Sequence, residues 1–160
     1  MESFWTTLVG LTILVVTLAF FASRRRRIVS KWKEGAEAFQ RGDMETASKA
    51  LRACLRLEPA WVPARRLLGR ALVATHRIDD AEKELRLAAE MEPRNPDGHL
   101  DFAFFLARFA PDRPDEAIDS LARAVEHRPL LREQLLNLEP LAPLRNHPRF
   151  QSLLARPPSA

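Results

Sequence analysis

Glycine, alanine and proline recur in this chain at a fixed interval of 34 residues: Gly35 and Gly69, Ala47 and Ala81, Pro59 and Pro93. Such a period marks a small supersecondary unit stacked on copies of itself, because a unit of that size cannot bury its apolar face alone. The residue types fit paired helices. Gly35 and Gly69 let two helices approach where a side chain would collide, and Ala47 and Ala81 do the same on the partner helix. Leucines and alanines three and four apart form the buried stripe. Each proline ends a helix, because it cannot donate into a continuing ladder. A third copy follows at a longer interval: Ala81 to Ala117 and Pro93 to Pro129 are both 36 residues. The two additional residues are expected in the turn around Ala110, Pro111, Asp112, Arg113 and Pro114. Shorter turns are expected at Arg41-Gly42-Asp43 and Ile78-Asp79-Asp80, with Asp43 and Asp79 as N-caps or first-turn acids.

The N-terminus follows a different rule. Residues 4–22 read FWTTLVGLTILVVTLAFFA, without charge or proline, and Arg24, Arg25, Arg26 and Arg27 follow. At about 1.5 Å per residue, 19 residues span roughly 28 Å, close to the hydrocarbon thickness of a bilayer. A cleavable signal peptide would place its positive charge before a shorter apolar run. Here the charged side chain before the run is Glu2, and the arginines come after it. A buried core helix would keep a polar stripe, which this run lacks. The pattern therefore predicts a membrane anchor over residues 1–27. The arginine block predicts an N-terminus outside and residues 24–160 in the cytoplasm, with Phe4 and Trp5 at the outer interface. No proline separates Trp5 from Phe39, so the spanning helix is expected to continue into the first repeat.

The net charge of +4 comes from those four arginines. From Ile28 onward, 21 basic residues face 20 acidic ones without a basic stripe, which argues against nucleic-acid binding. Cys54 is the single cysteine, which excludes an internal disulfide and a multi-cysteine zinc site, and it falls where the repeat needs a small buried residue. His76 lies in a turn, His99 opens a helix, and His127 and His147 neighbour prolines, so no pair has metal-ligand spacing on one helix. No glycine-rich phosphate loop is present. The chain is read as a non-enzyme with no cofactor, no metal and no small-molecule substrate.

The second unit, with Leu68-Gly69 and Leu72, Ala81 and Leu85, then Pro93, resembles the tetratricopeptide repeat. The first unit matches with Gly35 and Ala38, Ala47 and Leu51, then Pro59. The third matches with Phe102-Ala103 and Leu106, Ala117 and Leu121, then Pro129. The resemblance covers residues 28–129 as three repeats, 28–61, 62–95 and 96–129. Residues 130–154 are expected to close the array, with a capping helix over residues 131–138. A short segment follows, packed through Leu144, Phe150, Leu153 and Leu154, and residues 155–160 form a disordered tail. The fold class implied is all-α: an N-terminal transmembrane helix, a three-repeat solenoid and a C-terminal cap.

The resemblance implies a protein or peptide partner held by the first helices of the repeats. Carried over residue by residue, the groove positions are Trp32, Ala36 and Phe39 in the first repeat. The second repeat offers Arg66, Arg70 and Val73, and the third Asp101, Phe104 and Arg108. Arg66 and Arg70 lie four apart, and like charges so placed repel by roughly 0.2–0.5 kcal/mol. Either Asp101 on the neighbouring helix or a carboxylate on a partner offsets them. Trp32 either anchors a partner, packs on the first repeat or lies near lipid headgroups. The clamp for C-terminal carboxylates in co-chaperones of this family does not match, since its positions hold Trp32, Ala36, Leu67, Asp97 and Asp101. The implied function is a single-pass adaptor or scaffold of a bacterial inner membrane. Larger relatives in envelope assembly carry a cysteine-rich metal domain, and that activity is not carried over to this sequence. Two alternatives remain: a receptor for targeting peptides similar to mitochondrial import receptors, against which Arg66, Arg70 and Arg108 argue, and a structural subunit of a membrane complex.

Overall fold

The computed structural model describes the backbone of residues 2–155 and the side chains of residues 9–155. All described elements are helical, and the chain divides after Pro59 into two compact units. The first holds α1 (Glu2–Gln40) and α2 (Met44–Leu57). The second holds α3 (Val62–Ala74), α4 (Ile78–Met91), α5 (Pro96–Phe109), α6 (Pro114–His127) and α7 (Leu131–Leu135). A 3₁₀ helix (Glu139–Leu144) and α8 (Pro148–Ala155) complete it.

In the first unit α1 is a single 39-residue helix, so the expected continuity into the first repeat is present. Among the described residues no helix is long and apolar enough to cross a membrane. The described apolar side chains of α1 begin at Val9, and the arginines begin at Arg24. Phe4 and Trp5, placed above at an outer interface, lie outside the described side chains. The helix ends where Gly42 takes a φ of +81°. Gly42 N–H donates to Phe39 O and Asp43 N–H to Ala38 O, the paired bonds of a Schellman closure. Asp43 then caps α2 by accepting from Thr46 N–H at 3.0 Å. Gly35 meets Leu51 across the helix pair, and Ala38, Ala47 and Cys54 are buried beside them.

The second unit repeats this arrangement. Gly69 faces Leu85 across α3 and α4, and Ala103 and Leu121 occupy the corresponding buried positions of α5 and α6. The α3 closure copies that of α1, with His76 N–H to Val73 O and Arg77 N–H to Leu72 O. His76, 34 residues after Gly42, takes the same left-handed conformation at φ 57°. Asp79 lies in the first turn of α4. Pro93 and Pro129 follow the last residues of α4 and α6, as Pro59 follows α2.

The longer third period is placed differently from the expectation. Helix α5 has 14 residues against 13 in α3, and the turn after it has four residues against three. One added residue therefore extends the helix and one the turn. Pro111 stands where Gly42 and His76 stand in the earlier closures. Proline cannot reach a positive φ and has no N–H to donate, so the Schellman bonds cannot form there.

The cap also departs from the expectation. The helix expected over residues 131–138 is five residues long and ends at Leu135. Asn137 and Leu138 tighten into bonds to the third preceding carbonyl, and Pro140 and Pro143 hold the following segment out of an α ladder. Closure of the core falls mainly to Leu141, Leu144 and Phe150, all buried. Leu153 and Leu154 are only half-buried. Of the expected disordered tail, Ala155 ends α8, and residues 156–160 lie outside the described residues.

Candidate docking surface

Trp32, Ala36 and Phe39 lie on one face of α1, spaced by four and three residues, and all three are half-buried. The other candidates belong to the second unit. Arg66, Arg70 and Val73 lie on α3, and Asp101, Phe104 and Arg108 on α5, which packs against it.

The structure brings Arg66 and Asp101 together, with Arg66 Nε donating to Asp101 Oδ2 at 2.7 Å. Of the two readings of Arg66, the intramolecular pair is therefore the one formed. Arg66 Nη1 also reaches Asp97 Oδ2 at 3.4 Å, and Asp97 Oδ1 receives Arg128 Nη2 at 2.8 Å. The result is a chain of alternating charges along the start of α5. Burial pushes the Asp101 carboxyl above the ordinary carboxylate range, and the charges of Arg66 and Arg70 pull against that. Arg70 is exposed one turn further along α3. On α5, Phe104 is half-buried and Arg108 exposed, its guanidinium 5.3 Å from the Phe109 ring centroid. The surface thus offers apolar area at Val73 and Phe104 beside the exposed cations of Arg70 and Arg108. Asp97 and Asp101, already engaged by arginines, replace the cationic groups of a carboxylate clamp.

A second charged cluster escaped the sequence reading. Glu82 and Arg86 of α4 meet Arg113 and Glu116 of α6 through four contacts between 2.7 and 2.8 Å. Arg86 also lies over the Phe102 ring, 4.8 Å from its centroid. Arg113 lowers the Glu82 carboxyl through a hydrogen bond, against the cost of burial. The i,i+4 spacing of Glu82 and Arg86 was a visible signal, but the contacts between helices needed the register of α4 on α6. Beside the cluster is a cleft of about 240 Å³, lined by Arg86, Ala89, Glu90, His99, Phe102, Glu116, Asp119, Ser120 and Arg123. His99 is buried within α5 with Nε2 2.9 Å from Pro93 O, a contact that fixes the ring in the core. Cys54 is buried and its Sγ lies 3.7 Å from Ile28 O, with burial raising the thiol pKa. Among the described residues no three His, Cys, Asp or Glu side chains are grouped to hold a metal.

Residues 38–101 match the family model described as tetratricopeptide repeat. The chain carries tetratricopeptide repeats. In solved structures, a Thermobaculum terrenum O-GlcNAc transferase mutant is similar to it, with 24% identity over 76% of this chain and a TM-score of 0.65. This chain spans only 22% of that one. A chain of a CopN-Scc3 complex has 19% identity over 70% of this chain and 68% of its own, with a TM-score of 0.60. These likenesses show the fold alone. No curated protein matches the sequence. Tetratricopeptide repeats serve as protein-interaction modules, and the α3–α5 face lies where their first helices present a docking surface.

Proposed function

We propose that the chain is a membrane-anchored adaptor whose repeats hold a short segment of a partner protein beside the bilayer. The observation that carries this reading is α1 itself, one helix that bears an apolar segment at one end and the first repeat at the other. From Val9 to Phe21 its large apolar side chains are 53–63% exposed on every side of the helix. A surface apolar all round needs a cover, and lipid is the cover that needs no polar stripe. The hydroxyls in this stretch favour the same environment. Thr17 Oγ1 donates to Leu14 O and Ser23 Oγ to Phe20 O, each at 2.8 Å, so the helix's own carbonyls satisfy them. The sequence of residues 4–8 extends the apolar run to 19 residues. The arginines that follow favour a cytoplasmic repeat domain.

The partner segment is read from the exposed groups. Val73 and Phe104 suit an apolar side chain, and Arg70 and Arg108 suit a carboxylate next to it. A photoreactive residue at Phe39, Arg70 or Phe104 in intact cells should capture one recurrent protein from the first helices of the repeats. Capture of nothing from any of the three positions rejects the docking role. A reporter fused after Ala160 should be active on the cytoplasmic side, and activity only outside reverses the proposed orientation.

A further inference from the structure

We infer that the first unit binds one anionic phospholipid in a cleft between α1 and α2, its phosphate held by Arg27 and Arg56. The inference rests on the membrane-anchored reading above. Arg27, Ser30 and Lys31 are spaced by three and one on α1, and Ala53, Arg56 and Leu57 repeat that spacing on α2. Residues three and four apart share a helical face, and here the two faces enclose a cleft of about 260 Å³. Its lining holds three basic side chains and no acidic one, with Ala53 and Leu57 as an apolar floor.

The charge balance singles out two of those cations. Lys31 Nζ is 2.6 Å from Glu34. Arg27 and Arg56 are exposed and have no carboxylate partner among the described residues. The end of α2 would ordinarily repel an anion, because its last carbonyls carry the negative end of the helix dipole. Here Arg24 covers that end, with Nη2 donating to Leu57 O and Nη1 lying 3.5 Å from Glu58 Oε2. The cleft is thus left cationic where a helix C-terminus would make it anionic.

The depth is also right for a phospholipid. Arg27 is five residues beyond Ala22, about 7.5 Å along the helix axis. The headgroup layer extends roughly 5–8 Å beyond the hydrocarbon on each side. Arg27 therefore reaches the phosphate level, and the Arg24 contact to Leu57 brings the end of α2 to the same level. The apolar floor accepts the glycerol and first methylenes of a lipid, which free phosphate lacks.

The test uses the full chain in phosphatidylcholine bilayers doped with phosphatidylglycerol, released into mild detergent and weighed by native mass spectrometry. One phosphatidylglycerol should be retained in preference to phosphatidylcholine. Arg27→Ala with Arg56→Ala should lower that retention on the order of tenfold or more, as expected for two arginines at the membrane surface. Arg25→Ala with Arg26→Ala removes the same charge from exposed positions outside the cleft and should leave retention within about twofold of the wild type. Equal loss in both double variants would show a diffuse field and overturn the site, as would no preference for phosphatidylglycerol. Displacement of the lipid by inorganic phosphate at matched ionic strength would show a phosphate site instead. Carbonate washing of the same bilayers separates the two readings. Release of the chain rejects the anchor and this site with it. Retention without lipid preference rejects the site alone.

Discussion

His76 stands where the same closure one repeat earlier uses Gly42, and both residues take a positive φ. A side chain with a Cβ pays about 1–2 kcal/mol in that region, whereas glycine enters it freely. His76→Gly keeps both Schellman bonds and should raise the unfolding free energy by up to about 1 kcal/mol, once the added freedom of the unfolded chain is deducted. Unfolding by urea in detergent measures it, and a loss of stability would show that the imidazole makes a contact worth more than the strain. Gly69 has the opposite constraint. A Cβ there would lie 2.6 Å from Leu85 Cγ, a branch point that is almost fully buried and has no room to move. Gly69→Ala should cost about 1–3 kcal/mol by overpacking. Leu85→Ala in the same chain should make the added methyl harmless, so the double variant should fall short of the summed losses. The Arg66–Asp101 pair follows the same logic of paired removal. Arg66→Ala leaves a mostly buried carboxylate without its closest cation and should cost about 3 kcal/mol, near the low end for buried pairs because Arg66 is partly exposed. Removing Asp101 as well should recover part of that loss, and strictly additive losses would mean that the pair is not coupled.

Helix by helix, the period gave good register where the closures are alike and poor register where a proline intervenes. The starts of α3 and α5 fall at the expected repeat boundaries, Val62 and Pro96, because each repeat reuses the same glycine–leucine contact and terminal proline. The turn after α5 and the length of α7 were not legible. Both depend on where bonds to the third preceding carbonyl replace an α ladder, and prolines at positions 111, 140 and 143 decide that locally. Of the docking residues, the sequence supplied the faces and the Arg66–Asp101 alternative. It did not supply Asp97 and Arg128, which join that pair only after α5 and the end of α6 are packed. The α4–α6 cluster was hidden for the same reason, and it makes a pH prediction. Arg113 holds the Glu82 carboxyl below its ordinary value. Hydrogen bonds from Arg113 and Arg86 do the same for Glu116 against the cost of burial. A depressed carboxyl contributes stability above its unfolded pKa, and that contribution is lost as pH falls through the folded one. Burial raises Asp101, so its contribution has the opposite sign and declines as pH rises through its folded pKa. Glu82→Gln should therefore flatten the fall in urea stability between about pH 5 and pH 3, leaving a shallower slope than the wild type. An unchanged slope would show that the cluster is not a source of acid sensitivity.

For the molecule as a whole, the decisive element is α1, because it determines whether the apolar segment and the first repeat move as one body. At about 1.5 Å per residue its 39 residues extend close to 60 Å. No proline or terminal glycine interrupts the passage through the four arginines, and Arg24 ties the passage to the end of α2 through Leu57 and Glu58. A rigid passage holds the docking residues at a fixed height above the bilayer, whereas a hinge would let them sweep the surface. Trypsin distinguishes the two, since it needs several residues of extended chain and the arginines supply its cleavage sites. Cleavage then tracks the population of the locally opened helix. In the full chain reconstituted in bilayers, cutting after Arg24, Arg25, Arg26 and Arg27 should be slow. Val29→Gly with Ser30→Gly lies just beyond these sites, on exposed positions. Each glycine costs roughly 1 kcal/mol of helix, so the double variant should be cut on the order of tenfold faster at the arginines. Gly10→Ala, where an added Cβ meets nothing within 4 Å, should leave the rate unchanged. Prompt cutting of the wild type at the arginines, as fast as in the glycine variant, would replace the rod by a hinge and detach the height of the docking face from the membrane.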